Sequence, residues 1–521
     1  MLVKLINIVC LLLFMMIPTI HAMQVYQQQH YQIDRYVVWL HQQVRWNRLS
    51  LKNLFYYIPF LGISISSNLL LFNLLILIDT YLAFKVEHLK IYSKNIVYTN
   101  RIKRLFIFML LIEFLLAFLS FTFLTPTFII LIAPLSYLLP WGLLLIAASS
   151  LMPLEEGIRD YYRKDAQALL EANKQCKVIG ITGSYGKTST KNMAYHILSN
   201  KYHCLMTQAS YNNKMGITLS IRNYLKPYHE CFICEIGGDH MFEIEDLARF
   251  VNPSIAIITS VGPQHLQTFG SIQNILEEKM KLVEHLPKSG IAICNRDNDY
   301  IRNYRIKNNC RKIWFGIYNL EVDYRACNIK YSETGTSFDV VTHLKTYSFK
   351  TKLLGEHNVL NLLAGIALGD LLTIPFEEMI ETVKRIPYVL HRLEVIKNKD
   401  YTILDNSYNS NPVSAKYALD VLSRMQGRKI IITPGFIDLG EDENYENRKL
   451  GRMIAVICDE VILVGKHQSH FIMKGLIDEQ MAYEKVHVVN NRNEAFNELI
   501  KISKKGDYIL VENDLPDAYV N

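Results

Sequence analysis

The chain has 521 residues, half of them hydrophobic, 11% aromatic and 20% charged. That composition excludes a disordered or collagen-like chain and leaves room for about three or four domains. The formal net charge of +7, from 56 Lys and Arg against 49 Asp and Glu, is too small for this length to argue for a nucleic-acid partner. Nine cysteines, an odd number at irregular spacing, imply no disulfide framework and fit thiols kept reduced. The close pair Cys231 and Cys234 sits in an apolar run without the second pair or the histidines that a zinc site needs.

The apolar residues crowd toward the N-terminus in four blocks, Leu2–Ile20, Leu54–Phe84, Leu105–Leu124 and Phe128–Leu151. A helix needs about 20 apolar residues to cross the bilayer core, so the blocks predict a membrane domain of about four helices over residues 1–155. The first block reads either as a signal peptide with a poor cleavage site near His21-Ala22 or as an uncleaved anchor, and the anchor is the expected form. The loop 85–104 carries Lys85, Lys90, Lys94, Arg101, Lys103 and Arg104 against Glu87. This excess places it, and everything after residue 151, on the cytoplasmic side of a bacterial membrane. Asp79 and Glu113 are acids within apolar blocks; either could be a functional group or an acid tolerated by its position.

From about residue 176 the pattern changes to short β-rich runs alternating with helical stretches. Strands are predicted at Cys176–Thr182, Phe232–Ile236, Ile255–Ser260, Ile291–Asn295, Thr402–Asp405, Lys429–Thr433, Glu460–Val464 and Tyr508–Val511. Helices are predicted over much of 187–199, 241–250, 271–286, 357–373, 376–385, 412–426, 444–458 and 493–501. Such alternation is the signature of α/β architecture with parallel sheets covered by helices. Residues 300–355 read as an antiparallel insert. Pro387 marks a boundary, giving a central nucleotide-binding domain at 156–386 and a C-terminal Rossmann-like domain at 387–521.

The strongest local signal is Val178-Ile-Gly-Ile-Thr-Gly-Ser-Tyr-Gly-Lys-Thr-Ser-Thr190, an apolar strand running into a glycine-rich turn and a helix that opens on Lys187-Thr188. Glycine lets backbone N–H groups approach a phosphate closely, and the helix N-terminus favours the anion. Lys187 suits the β and γ phosphates of ATP, and the Thr188 hydroxyl suits Mg2+. Ile181 stands where the general phosphate-loop pattern has its first glycine.

That variant loop, Thr182-Gly-Ser-Tyr-Gly-Lys-Thr-Ser189, resembles the nucleotide loop of the Mur ligases, the cytoplasmic amide-forming enzymes of peptidoglycan synthesis. The likeness continues through nearly all of 176–521, in order. Thr207-Gln-Ala-Ser-Tyr-Asn-Asn-Lys-Met-Gly216 resembles the family's Asn-rich segment. Glu235 falls at a strand end that ligates magnesium, His265 at the next strand end, and Lys279 where some branches carry a carbamylated lysine. Asn295 and the run Gly355-Glu-His-Asn-Val-Leu-Asn361 resemble adenine-side contacts, and Arg392 resembles the arginine that reaches the phosphates from the C-terminal domain. Asp405-Asn-Ser-Tyr-Asn-Ser-Asn-Pro412 is closest to the branch that adds D-alanyl-D-alanine to UDP-N-acetylmuramoyl-tripeptide.

The resemblance implies an ATP-dependent ligase acting through an acyl phosphate. Its implied catalytic residues are Lys187, His265, Lys279 and Arg392, and its metal ligands Thr188, Glu235, His265 and Lys279. The nucleotide would meet Gly183, Ser184, Gly186, Lys187, Thr188, Ser189, Asn295, His357, Asn358, Asn361, Arg392 and Asp405. Substrate would meet Thr207, Asn212, Asn213, Tyr408, Asn409, Asn411 and Pro412. The implied co-substrates are D-alanyl-D-alanine or another amine, and a peptidoglycan precursor or other carboxylate acceptor. The family's UDP-gripping first domain has no counterpart in residues 1–155. The acceptor therefore stays open: UDP-linked, lipid-linked and presented by membrane helices, or outside peptidoglycan altogether, as in poly-γ-glutamate synthesis. A reading from another class is a membrane-tethered nucleotide sensor, against which the intact Lys187, Glu235, His265 and Arg392 stand.

Overall fold

The computed structural model describes residues 2–45, 96–123, 138–408, 410–436, 439, 442–465 and 467–513. The chain divides into two compact units, Met1–Asp160 and Tyr161–Asn521.

In the first unit the helices Leu2–Gln28, Ile33–Arg45 and Asn100–Phe123 and the start of the helix Leu139–Ala172 surround their own core. Met15, Met23, Leu105, Met109 and Leu144 are buried there. The Tyr36 hydroxyl donates to the Trp141 carbonyl at 3.1 Å, and the Trp39 and Trp141 rings stack at 5.6 Å. Glu113 is buried and accepts the Thr19 hydroxyl at 2.5 Å.

Among the described residues, one helix, Leu139–Ala172, is long and apolar enough to cross a membrane by length and composition. The expected four-helix membrane domain and its multi-pass placement in a bacterial cytoplasmic membrane are corrected on this ground. The physical reason is that a long apolar run does not by itself say what covers a helix, and in the third block Ile107, Leu111 and Phe118 stay exposed. Here the first and third blocks pack against one another and against Tyr36 and Trp141. The second block with Asp79, and the fourth block before residue 138, lie outside the described residues.

The second unit holds two sheets. The first comprises β1 (Lys177–Thr182), β2 (Cys204–Met206), β3 (Cys231–Glu235), β4 (Ile255–Ile258), β5 (Ile291–Asn295), β6 (Arg311–Gly316), β7 (Tyr324–Ser332), β8 (Gly335–Val341) and β9 (Thr346–Thr351). Their spatial order is β2-β3-β1-β4-β5-β6-β7-β8-β9. β1 to β6 pair in parallel register, and β1, β3, β4 and β5 are mostly buried apolar runs, as strands covered on both faces must be. The helices Lys187–Leu198 and Glu356–Leu371 cover one face, and Lys214–Tyr224, Glu243–Val251 and Ile272–Glu284 the other. The expected antiparallel insert is corrected in part. β6 continues the parallel sheet and pairs parallel with β7, and only β7, β8 and β9 run antiparallel.

The helix Phe376–Arg385 ends just before Pro387, and the chain enters the second sheet. That sheet holds β10 (Glu394–Lys397), β11 (Tyr401–Asn406), β12 (Lys429–Thr433), β13 (Glu460–Val464), β14 (Val486–Val489) and β15 (Asp507–Glu512), in the order β10-β11-β15-β12-β13-β14. All pairs but β10–β11 are parallel. The C-terminal ends of β11, β15 and β12 lie side by side where the strand order breaks, the crevice that α/β sheets use for ligands.

Glu512 closes β15 inside that crevice. Its carboxylate accepts Asn406 Nδ2 at 2.9 Å and the Ser410 hydroxyl, and full burial pushes it up to about 7. The unfolded carboxyl titrates near 4.3, so the folded state binds the proton more tightly between these values. The stability tied to this proton is whole below the unfolded value and is lost as pH rises through about 7. Glu512→Gln, neutral throughout, is therefore expected to stabilise the protein at pH 8 by about 1–3 kcal/mol and by far less at pH 5. Thermal unfolding at the two pH values reads this, and a variant less stable than wild type at pH 8 would contradict it.

Candidate active site

β1 ends in Thr182, and the chain turns through Gly183 and Gly186 into the helix Lys187–Leu198. Both glycines are required. Gly183 has φ +149 and Gly186 φ +82. A Cβ on Gly183 would lie 2.1 Å from Thr259 Oγ1, and one on Gly186 2.5 Å from Asn361 Oδ1. The turn is tied to the segment after β4: Ser184 N donates to the Ser260 carbonyl at 2.7 Å, Tyr185 N to Ser260 Oγ at 3.0 Å, and Gly262 N to Ser184 Oγ at 3.0 Å. Lys187 folds back over the loop, its Nζ donating to the carbonyls of Gly183 at 2.6 Å and Ser184 at 3.2 Å. Burial pulls its ammonium down to about 8, against the attraction of Glu235.

Glu235, the last residue of β3, is the hub of the site. Its Oε1 accepts the Thr188 hydroxyl at 3.1 Å and Asn212 Nδ2 at 3.2 Å. Its Oε2 lies 3.1 Å from Lys191 Nζ, an ion pair out of hydrogen-bond alignment, so this buried oxygen accepts no hydrogen bond. A buried carboxylate oxygen without such a partner, beside a threonine hydroxyl at a phosphate loop, is the donor set a magnesium ion takes.

The expected residues separate by position. One cavity of about 480 Å³ brings together Ser184, Gly186, Lys187, Thr188, Ser189, Asn212, Glu235, His265, Asn295, His357, Asn361, Arg392, Tyr408 and Asn411. Residues from both sheets thus face one space. Arg392 stacks its guanidinium 4.6 Å above the Tyr408 ring. His357 packs on Tyr417 at 5.2 Å, and burial pulls its imidazole down to about 4, so it is neutral at working pH.

Other expected residues hold the walls. Thr207 accepts the Glu235 backbone N–H at 3.1 Å. Asn213 and Asn411 cap the helices Lys214–Tyr224 and Pro412–Ser423, and Pro412 takes the first helical turn of the latter. Asn358 donates to the Leu354 carbonyl at 2.8 Å. Asp405 does not line the cavity and binds His391 Nδ1 at 2.7 Å. Lys279 does not line it either; its Nζ donates to the Gly238 carbonyl at 2.9 Å, and burial, with Lys187 adding, pulls it down to about 7. Asn409 lies outside the described residues. The sequence reading quoted Tyr185 only within the loop and missed Tyr318 and Tyr417, which also line the cavity, because scattered tyrosines carry no spacing signal.

Two domain families match the chain, the Mur ligase middle domain over residues 181–369 and the Mur ligase glutamate ligase domain over 391–512. The UDP-N-acetylmuramoyl-tripeptide–D-alanyl-D-alanine ligase of Bacillus subtilis is 29% identical over 338 residues, which cover 64% of this chain and 72% of that protein. The Escherichia coli enzyme of the same name is 31% identical over 301 residues, covering 57% of this chain and 66% of that one. A MurF structure from Acinetobacter baumannii superposes with a TM-score of 0.62 at 26% identity, covering 68% of this chain and 77% of that one. The MurF ligase of Thermotoga maritima, solved in complex with ADP, gives a TM-score of 0.62 at 24% identity, covering 69% and 81%.

Gly183→Ala tests the loop. The positive φ and the 2.1 Å approach to Thr259 leave no room for a methyl group. The substitution is expected to cost about 1–3 kcal/mol of stability and to weaken nucleotide binding by about tenfold or more. Nucleotide titration and thermal unfolding check it, and unchanged affinity would contradict the placement of phosphate over this turn.

Proposed function

The chain belongs to the Mur ligase family of ATP-dependent ligases, and from that we propose that it joins D-alanyl-D-alanine, or a closely similar amine, to the peptide carboxylate of UDP-N-acetylmuramoyl-tripeptide. In this reading residues 156–386 form the nucleotide domain and 387–521 the domain that brings the amine. The observation that carries it is the shared cavity, in which Lys187, Thr188 and Glu235 of the first sheet face Arg392, Tyr408 and Asn411 of the second.

The chemistry follows from the residue types. A carboxylate acylates poorly because oxide is a bad leaving group; transfer of the γ-phosphoryl group to it makes an acyl phosphate whose leaving group is phosphate. The amine then attacks the carbonyl carbon, and phosphate leaves from the tetrahedral intermediate. Phosphoryl transfer needs alignment and charge neutralisation more than covalent chemistry from the protein. Lys187 and Arg392 supply positive charge from opposite walls, and the loop N–H groups orient the phosphates. Thr188 and Glu235 would hold Mg2+, with His265, which lines the same cavity, as a further candidate ligand, and the ion when bound would neutralise phosphate charge. Lys279, held on the Gly238 carbonyl, serves better as a hydrogen-bond donor fixing that backbone than as a metal ligand in its uncarbamylated form. Asn295, Asn361 and His357 line the nucleotide's side of the cavity, and a neutral His357 offers a hydrogen-bonding edge without charge.

The test is phosphate release by the full chain with ATP, Mg2+, D-alanyl-D-alanine and UDP-N-acetylmuramoyl-tripeptide, with the product weighed by mass spectrometry. Turnover that needs both co-substrates is expected. Lys187→Ala is expected to lower product formation by about 10²-fold or more while the protein stays folded, since it removes charge stabilisation made in the transition state. Nucleotide hydrolysis indifferent to both co-substrates would remove the ligase reading.

A further inference from the structure

Lys191 is a buried cation that none of the steps above uses. It lies one helical turn beyond Lys187, with 1% of its side chain exposed. Lysine is almost never fully buried unless something holds it. Two groups do: Glu235 Oε2 at 3.1 Å, and the carbonyl of Ala209, to which Nζ donates. Ala209 sits in the loop between β2 and the helix Lys214–Tyr224 with a left-handed φ of 43, a conformation alanine adopts only when its surroundings impose it. The same loop sends Ser210 and Asn212 to the cavity, and Asn212 meets the other oxygen of Glu235.

We propose that Lys191 is a positioning residue that fixes the acceptor-side loop 207–213 to the nucleotide helix through Glu235. One ammonium grips the loop backbone at Ala209 and the carboxylate that Thr188 and Asn212 share. The nucleotide loop and the acceptor loop are thereby set in one arrangement before either substrate arrives. A surface-type ion pair could not do this, because exposed pairs hold their geometry weakly, whereas an enclosed one that loses a partner is strongly destabilised. The assignment of the loop to the acceptor rests on the proposed function; the tether itself does not.

The test separates the two. Lys191→Met keeps the length and removes the charge, and it leaves Glu235 buried without its cation. The double variant Lys191→Met with Glu235→Gln removes both charges and keeps the protein folded if the single variant does not fold. Hydrogen exchange of the amides of Tyr211, which donates to the Gln208 carbonyl, and of Gly237, which donates to the Asn212 carbonyl, reports the tether without any substrate. Exchange is expected to quicken by about tenfold or more in the double variant, while the amides of β1 and β4 keep their protection. In the folded single variant, acceptor KM is expected to rise about tenfold with nucleotide Kd held within about twofold. Wild-type exchange at both amides in the double variant would overturn the tether. Faster exchange with an unchanged acceptor KM would leave the tether but overturn its role toward the acceptor. Loss of nucleotide binding, loop protection and sheet protection together would show a merely structural lysine and also overturn the proposal.

Discussion

Everything that gives this cavity its chemistry depends on where the Glu235 carboxylate is held. It stands at the end of β3, paired in register with Ile181 of β1, two residues before the glycine turn begins at Gly183. One side chain therefore meets the threonine of the nucleotide helix, the asparagine of the loop before the helix Lys214–Tyr224 and a buried lysine. A carboxylate in this position would be costly to bury alone. Surrounded by two donors and a cation it becomes a fixed negative charge beside the turn, one that Lys191 and a metal would share. Parallel β-strands make this possible, because their C-terminal ends collect loops from several distant segments at one edge.

The second constraint is that half of the cavity belongs to another sheet. Arg392 reaches it from the passage between the sheets, bracketed by His391 at φ 60 and Leu393 at φ 55. Two left-handed residues around one arginine aim its guanidinium onto the Tyr408 ring rather than along an extended strand. Asn411 fixes the neighbouring wall by capping the helix Pro412–Ser423. In the proposed reaction, charged and polar groups from both sides would enclose the reacting atoms. An acyl phosphate needs that enclosure, since water would otherwise compete with the amine.

Much of this was legible in the sequence, for identifiable reasons. The strand, glycine turn and Lys187-Thr188 helix start are contiguous, so local physics alone marks them. All eight predicted strands occur, because buried parallel strands are unbroken apolar runs. The edge strands β2, β10 and β14 were missed: they have three, four and four residues and little burial pattern to detect. The helix Lys214–Tyr224 was missed because its apolar stripe is short. Lys191 and Glu512 were illegible for a different reason. A lysine on a helix and a glutamate after a strand read as surface residues, and only the tertiary fold encloses them. Lys279 and Asp405 were placed in the cavity by resemblance, yet they hold the Gly238 backbone and His391. The N-terminal blocks misled because an apolar run alone does not say what covers the helix it forms.

The most direct measurement follows the oxygen atoms of the acceptor. Its carboxylate is labelled with heavy oxygen and the full reaction is run with ATP, Mg2+ and the amine. The released inorganic phosphate is then analysed by mass. Transfer of the γ-phosphoryl group onto the carboxylate carries one labelled oxygen into phosphate each time an amide forms, and labelled phosphate is the expected result. Amide formed alongside unlabelled phosphate would contradict an acyl phosphate made between the two sheets.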